Sequence, residues 1–198
     1  MSSFLLKFAG FFCCLFLIKY YSFFYITLPV REFIPNGSTP TIVTFLIYNF
    51  GLSVLYYPFK FIVIVTILTF GIFLNKKYQD QANFGKLLTL AVSAEFIFLL
   101  SDVVKILYFT FYTTSYHELQ FANFYPLSLF NLLNTHASSS FSYAFQVLNG
   151  FECIYIIYLV NGVSNLTEAS FEESLGMVSY SYGFILIIWV LMVTCLNL

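Results

Sequence analysis

The sequence predicts an all-α fold, a polytopic transmembrane helical bundle of about five spans, and three observations predict it. Of the 198 residues, 60% are hydrophobic and only 9% are charged, against about 25% charged in soluble domains. The apolar residues are gathered into long runs, several close to the ~20 residues that a helix needs to cross the hydrocarbon. Aromatic residues make up 22% of the chain, with 27 Phe and 16 Tyr, which supplies lipid-facing bulk and interfacial rings. A formal net charge of −1 offers no basic field to a polyanion, which excludes nucleic acid as a partner.

The first span is placed near residues 8–30. It follows Lys7 as a secretory signal would, but no small-x-small cleavage site appears and the run continues past Lys19 to Val30, so a retained span is expected. The stretch "TIVTFLIYNFGLSVLYYPF" is oily from Ile42 onward. Either residues 41–57 lie at the outer interface and lead into a second span near 55–74, with Pro58 close to its start, or they form a separate crossing that raises the count to six. The third span is placed near 87–111, after the polar loop "NKKYQDQANFGK". In the connection that follows, "NFYPLSLFNLLN" has the pattern of a short amphipathic helix, with Pro126 in its first turn and Leu127, Phe130 and Leu133 on one side. Ser138 to Ser140 give a polar restart before a fourth span near 145–163. "SFEE" fits a capping box, Ser170 with Glu173, ahead of the fifth span near 176–196. No internal repeat and no low-complexity linker interrupts this order, so residues 1–198 are read as one membrane domain.

Orientation follows from where lysine and arginine collect. Lys76, Lys77 and Lys86 share one loop and Lys7 precedes the first span, whereas Arg31 stands alone on the other side. The N-terminus is expected in the cytoplasm and, with five spans, the C-terminus outside, across the inner (cell) membrane of a bacterium.

Lys60 is read only as an interruption of the oily second run, and the intramembrane polar cluster is taken as Lys19, Glu95, Asp102, Lys105 and Glu152. At 1.5 Å per residue, Lys19 lies about 16 Å, Glu95 about 12 Å and Glu152 about 16 Å from the inner surface. An isolated charge at that depth costs on the order of 2.5 to 3.5 kcal/mol, so Lys19 is expected to pair with Glu95 or Glu152. Asp102 and Lys105, three residues apart, share a helix face with each other, and Glu95 shares one with Asp102 seven residues on. This polar stripe has two readings: satisfied pairs that order the bundle, or a path for a proton, an ion or a lipid headgroup.

Catalytic constellations are absent. His117 and His136 lack the spacing that puts two metal ligands on one helix turn. "FEESLGM" lacks the arginine and the His pair of intramembrane prenyl-protein proteases, and there is no nucleophile elbow or phosphate loop. Cys13, Cys14, Cys153 and Cys195 all fall in apolar runs without Cys-x-x-Cys spacing and are read as small buried hydrophobes. No cofactor or metal is expected. Asn36-Gly-Ser and Asn165-Leu-Thr match a glycosylation pattern, and only the first falls outside in this topology. Gly176, Ser179 and Gly183 form a small-residue face, for packing within the bundle or for a second copy or another membrane protein.

Two stretches resemble the Yip family of five-span membrane proteins, named for interacting with Ypt/Rab GTPases and found also in bacteria. In "NFGKLLTLAVSAEFIFLL", Phe84, Lys86, Leu87, Leu88 and Ala94 fit the family's loop-to-span pattern. "LNGFECIYIIYLVNGVSNLTEASFEESL" is similar to its fourth span, through Leu148, Asn149, Phe151, Tyr155, Gly162 and Val163. With "FYPLSLFNLL" the likeness covers about half the chain. The chain departs from the pattern in having Glu172 and Glu173 where a basic residue is usual, in lacking a third-span proline, and in lacking the long cytosolic N-terminal region. The resemblance implies a non-catalytic role in membrane organisation or trafficking. The alternative is a small permease or permease subunit whose path runs through Glu95, Asp102 and Lys105.

Overall fold

A computed structural model of the chain describes residues 2–22, 42–111, 121, 124–132 and 142–196. Asn36, His117, Leu133, His136 and Ser138 to Ser140 lie outside these residues. The described elements are α1 (Ser2–Ser22), α2 (Ile42–Leu74), α3 (Phe84–Phe111), α4 (Leu129–Leu132), α5 (Ser142–Val147), α6 (Gly150–Thr167) and α7 (Phe171–Leu196), with a 3-10 turn at Gln79–Gln81. Among the described residues there is no strand, only an isolated bridge between Ser128 and Asn149, so the fold is an all-α helical bundle.

Among the described residues, four helical stretches rather than five are long and apolar enough to cross a membrane: Ser3–Ser22, Gly51–Leu74, Phe84–Phe111 and Phe171–Leu196. Buried residues make up only 11% to 39% of the most apolar window in each. Side chains such as Leu55, Phe59, Phe73, Leu100, Phe184 and Ile187 therefore turn outward, and a hydrocarbon solvent is what makes that arrangement stable. The four cysteines follow the same rule. All are free and exposed rather than buried, because the apolar runs that hold them face outward.

Several boundaries differ from those expected. The first span starts at Ser3 rather than near residue 8, with Lys7 inside its opening turns. Pro58 lies inside α2, which runs unbroken for 33 residues, so residues 42–57 are a helix leading into the second span, as one expected reading has it, and not a separate crossing. α3 begins three residues early because Asn83 caps it: its Oδ1 accepts from the Lys86 amide at 3.1 Å. The short helix after Pro126 shrinks to four residues, since Leu127 takes a left-handed φ of 57° and Ser128 pairs with Asn149. Leu127 is exposed, whereas Phe130 is buried.

The expected span 145–163 is not among the four: its helix, α6, is long enough, but its polar residues lower its hydropathy. Asn149 ends the preceding stretch and caps α6, accepting from the Glu152 amide at 2.8 Å. Glu168 closes α6 in a left-handed conformation, φ 52°. What remains is 18 residues carrying Glu152, Asn161, Ser164 and Asn165. Such a helix is stabilised by protein neighbours, and its buried face, Glu152, Tyr155, Leu159 and Val163, has helical spacing.

The chain divides into two compact units. One comprises Met1–Phe59 and Phe98–Pro126, the other Lys60–Ile97 and Leu127–Leu198. Two of the three boundaries cut through continuous helices, α2 and α3, and the third falls in the turn at Pro126. In the first unit Phe11 and Leu15 are buried and Phe11 meets the Tyr57 ring edge-on at 4.9 Å, while Phe109 packs on Phe121 and Phe124. In the second, α2 buries Phe61, Ile64, Val65, Leu68 and Ile72, a clean i, i+3, i+4, i+7 stripe.

α7 joins the second unit through two local features. Its start is the expected capping box: Ser170 Oγ accepts from the Glu173 amide at 3.2 Å and Glu173 Oε2 accepts from the Ser170 amide at 3.0 Å. Ser170→Ala is expected to cost about 1 kcal/mol, read as a small drop in melting temperature in detergent. Further along, Ser179–Gly183 form a π-helical turn. Near its far end the indole of Trp189, the single tryptophan, donates to Tyr143 Oη at 2.8 Å.

Candidate functional site: a polar cluster in mid-membrane

The second unit holds the most deeply buried charge of the described residues. The Glu95 side chain is 1% exposed, and its Oε2 accepts from Lys60 Nζ at 2.9 Å. Tyr155 donates to Glu95 Oε1 at 3.2 Å. Beside them Tyr182 donates to Glu152 Oε1 at 2.9 Å, and the Tyr155 and Tyr182 ring centroids are 5.5 Å apart. Each residue comes from a different element or turn: Lys60 from α2, Glu95 from α3, Glu152 and Tyr155 from one face of α6, Tyr182 from the π-helical turn of α7. Counted along the helices from the end that carries the 75–83 loop, Glu95 and Tyr182 lie about 17 Å deep, Tyr155 about 18 Å and Lys60 about 21 Å. That is the middle of a ~30 Å hydrocarbon layer.

The cluster differs from the sequence expectation in its cation. Glu95 pairs with Lys60 and not with Lys19. The matched depth of Lys19 says nothing about which way its helix faces, whereas Lys60 follows α2's buried stripe at position i−1 from Phe61. Lys19 belongs with the other charges: it acts electrostatically on Asp102, as does Lys105, all three within the first unit. There the Lys105 ammonium sits over the Phe121 ring at 4.6 Å and the Tyr125 ring at 5.4 Å, a cation–π arrangement. The five expected residues thus fall into two sets, Glu95 with Glu152 and Lys19 with Asp102 and Lys105. Lys60, Tyr155 and Tyr182 complete the first set.

A second polar group closes the loop end of the same unit. Glu173 Oε1 accepts from Lys77 Nζ at 3.0 Å, and Glu173 Oε2 accepts from Tyr78 Oη at 2.7 Å. The Tyr78 hydroxyl and the Glu173 carboxylate hold the Lys77 ammonium above its ordinary pKa. These contacts fasten the turn before α7 to the loop between α2 and α3.

Of the two readings of the small-residue face, close packing within the bundle is not what Gly176 and Gly183 provide. A Cβ on Gly176 meets nothing nearer than the Tyr180 ring at 4.0 Å, and one on Gly183 only Val178 O at 3.9 Å. The close approach is made instead by Gly71, where a Cβ would stand 2.5 Å from Ser181 Oγ and 2.6 Å from Met177 O.

Among the described residues no group of three or more His, Cys, Asp or Glu side chains is placed to hold a metal ion. Comparison with protein-family models, with curated proteins and with solved structures gives no match.

Proposed function

We propose that the protein is a non-catalytic, Yip-like component of a bacterial inner membrane, with its N-terminus in the cytoplasm, its C-terminus outside, and a role in membrane organisation or trafficking. The observation that supports the non-catalytic part is the Lys60–Glu95 pair with Tyr155 on the second oxygen: a deep carboxylate matched by an ammonium and a hydroxyl is the arrangement that orders a bundle. The membrane-organising role rests on the resemblance to the Yip family. The orientation is supported by Lys76, Lys77 and Lys86 in one loop. The Lys77–Glu173 contact brings the start of α7 to that same end, which makes α6 a fifth crossing, held by protein neighbours beside the four lipid-length helices, and α7 is long enough to reach the other side. Reporter fusions are expected to report the N-terminus inside and the C-terminus outside; both ends in one compartment would refute the orientation. Crosslinking in native membrane followed by mass spectrometry tests the role, by whether membrane-protein or lipid partners are captured.

One observation favours a second reading, a small permease. Glu95 and Glu152 are two carboxylates that share the field of a single ammonium, Lys60, and such an imbalance leaves room for an exchangeable cation. The two readings part at Glu152→Gln. An ordering role predicts lower stability through the weakened Tyr182 bond, whereas a path predicts a stable protein with lost flux in proteoliposomes.

A further inference from the structure

At the loop end of the second unit an open cleft of about 310 Å³ separates the last turn of α2 from the first turns of α7. Its position fixes its surroundings: from Glu173 to Tyr180 it covers about 10 Å of α7, from the polar boundary into the hydrocarbon. The walls change character over that distance. Leu74 and Met177 give apolar sides, Gly71 closes the inner end against α7, and Gly176 leaves space open beside it. Asn75, Lys76 and Tyr180 line the same cleft with polar groups, and Tyr180 is 77% exposed.

The charges in the cleft do not cancel. Glu173 also lines it, but its two oxygens are taken by Lys77, Tyr78 and the Ser170 amide. Lys76 is exposed and has neither a hydrogen bond nor an ion pair among the described residues. The Asn75 side-chain oxygen accepts from the Lys77 amide, which turns its amide hydrogens into the available donors. An uncompensated ammonium, an amide donor and a phenol above an apolar slot match a phosphate that carries acyl chains.

We infer that this cleft binds the headgroup of an anionic phospholipid, with Lys76 as the charge that selects it and the open space beside Gly176 receiving the upper part of an acyl chain. Basic residues between helices at a membrane surface recognise anionic headgroups in this way. The inference goes beyond the proposed function and holds for either reading of the polar cluster.

The test uses the full chain in mild detergent, mixed with equal amounts of phosphatidylglycerol and phosphatidylcholine of matched chains and examined by native mass spectrometry. The wild type is expected to retain phosphatidylglycerol preferentially. Lys76→Ala lowers that retention about fivefold, the effect of one lysine near the surface, while Lys86→Ala, in the first turn of α3 and outside the cleft, leaves it unchanged. Gly176→Leu, whose Cβ meets nothing nearer than the Tyr180 ring at 4.0 Å, abolishes retention of both lipids without lowering the melting temperature. Glycerol phosphate, a headgroup without chains, fails to displace the bound lipid. Equal retention of the two lipids, equal loss in Lys76→Ala and Lys86→Ala, full displacement by glycerol phosphate, or a lipid-free dimer crosslinked through residue 176 would each overturn the inference.

Discussion

Lys60→Met is expected to lower stability by about 3 to 5 kcal/mol, because removing one partner of a buried ion pair strands the other as an uncompensated charge. Glu95 remains nine-tenths and more enclosed and keeps only the Tyr155 hydroxyl. The melting temperature in detergent should fall sharply. The double variant Lys60→Met with Glu95→Gln should regain most of the loss, since replacing both members of a buried pair is often nearly neutral. A Lys60→Met protein as stable as the wild type would remove the pair from any account of this fold. The recovery in the double variant separates a charge effect from a packing effect, because the methionine is the same in both proteins.

Gly71→Ala is expected to be the next most damaging change. Its methyl would press on Ser181 Oγ, which can turn, and on Met177 O, which is backbone and cannot. Overpacking of this kind costs about 1 to 3 kcal/mol. Gly176→Ala, five residues from Ser181 on the same helix, has no such neighbour and should leave the melting temperature unchanged. Comparing the two by thermal unfolding checks which glycine mediates the close approach of α2 to α7. Equal effects would place the close contact elsewhere.

The fold class was legible because hydrocarbon length is a property of local sequence: α2, α3 and α7 lie where the apolar runs lie. The capping box at Ser170 was legible for the same reason, since its residues are three apart. Asn149 was not, because an asparagine inside an apolar stretch reads as an interruption until its side chain is seen on the Glu152 amide. The cluster was half legible. Glu95 and Glu152 stand out by charge, and their depths could be counted. Choosing Lys60 over Lys19 requires the direction each helix faces, which depth does not contain. Tyr155 and Tyr182 carried no signal at all in a chain with 16 tyrosines. Gly71 was passed over because its partner, Ser181, is 110 residues away in sequence and no spacing rule connects them.

The π-helical turn at Ser179–Gly183 amounts to one surplus residue in α7. Each residue of a regular helix advances about 100° around the axis, so without that bulge everything from Phe184 to Leu196 would be rotated relative to Met177 and Val178. The bulge absorbs the rotation, and a shortened chain lacking one of these five residues could restore an ordinary helix with its inward faces still aligned. What it would forfeit is the placement of the Tyr182 hydroxyl on Glu152, which makes that surplus residue the separable ingredient of the buried polar contact.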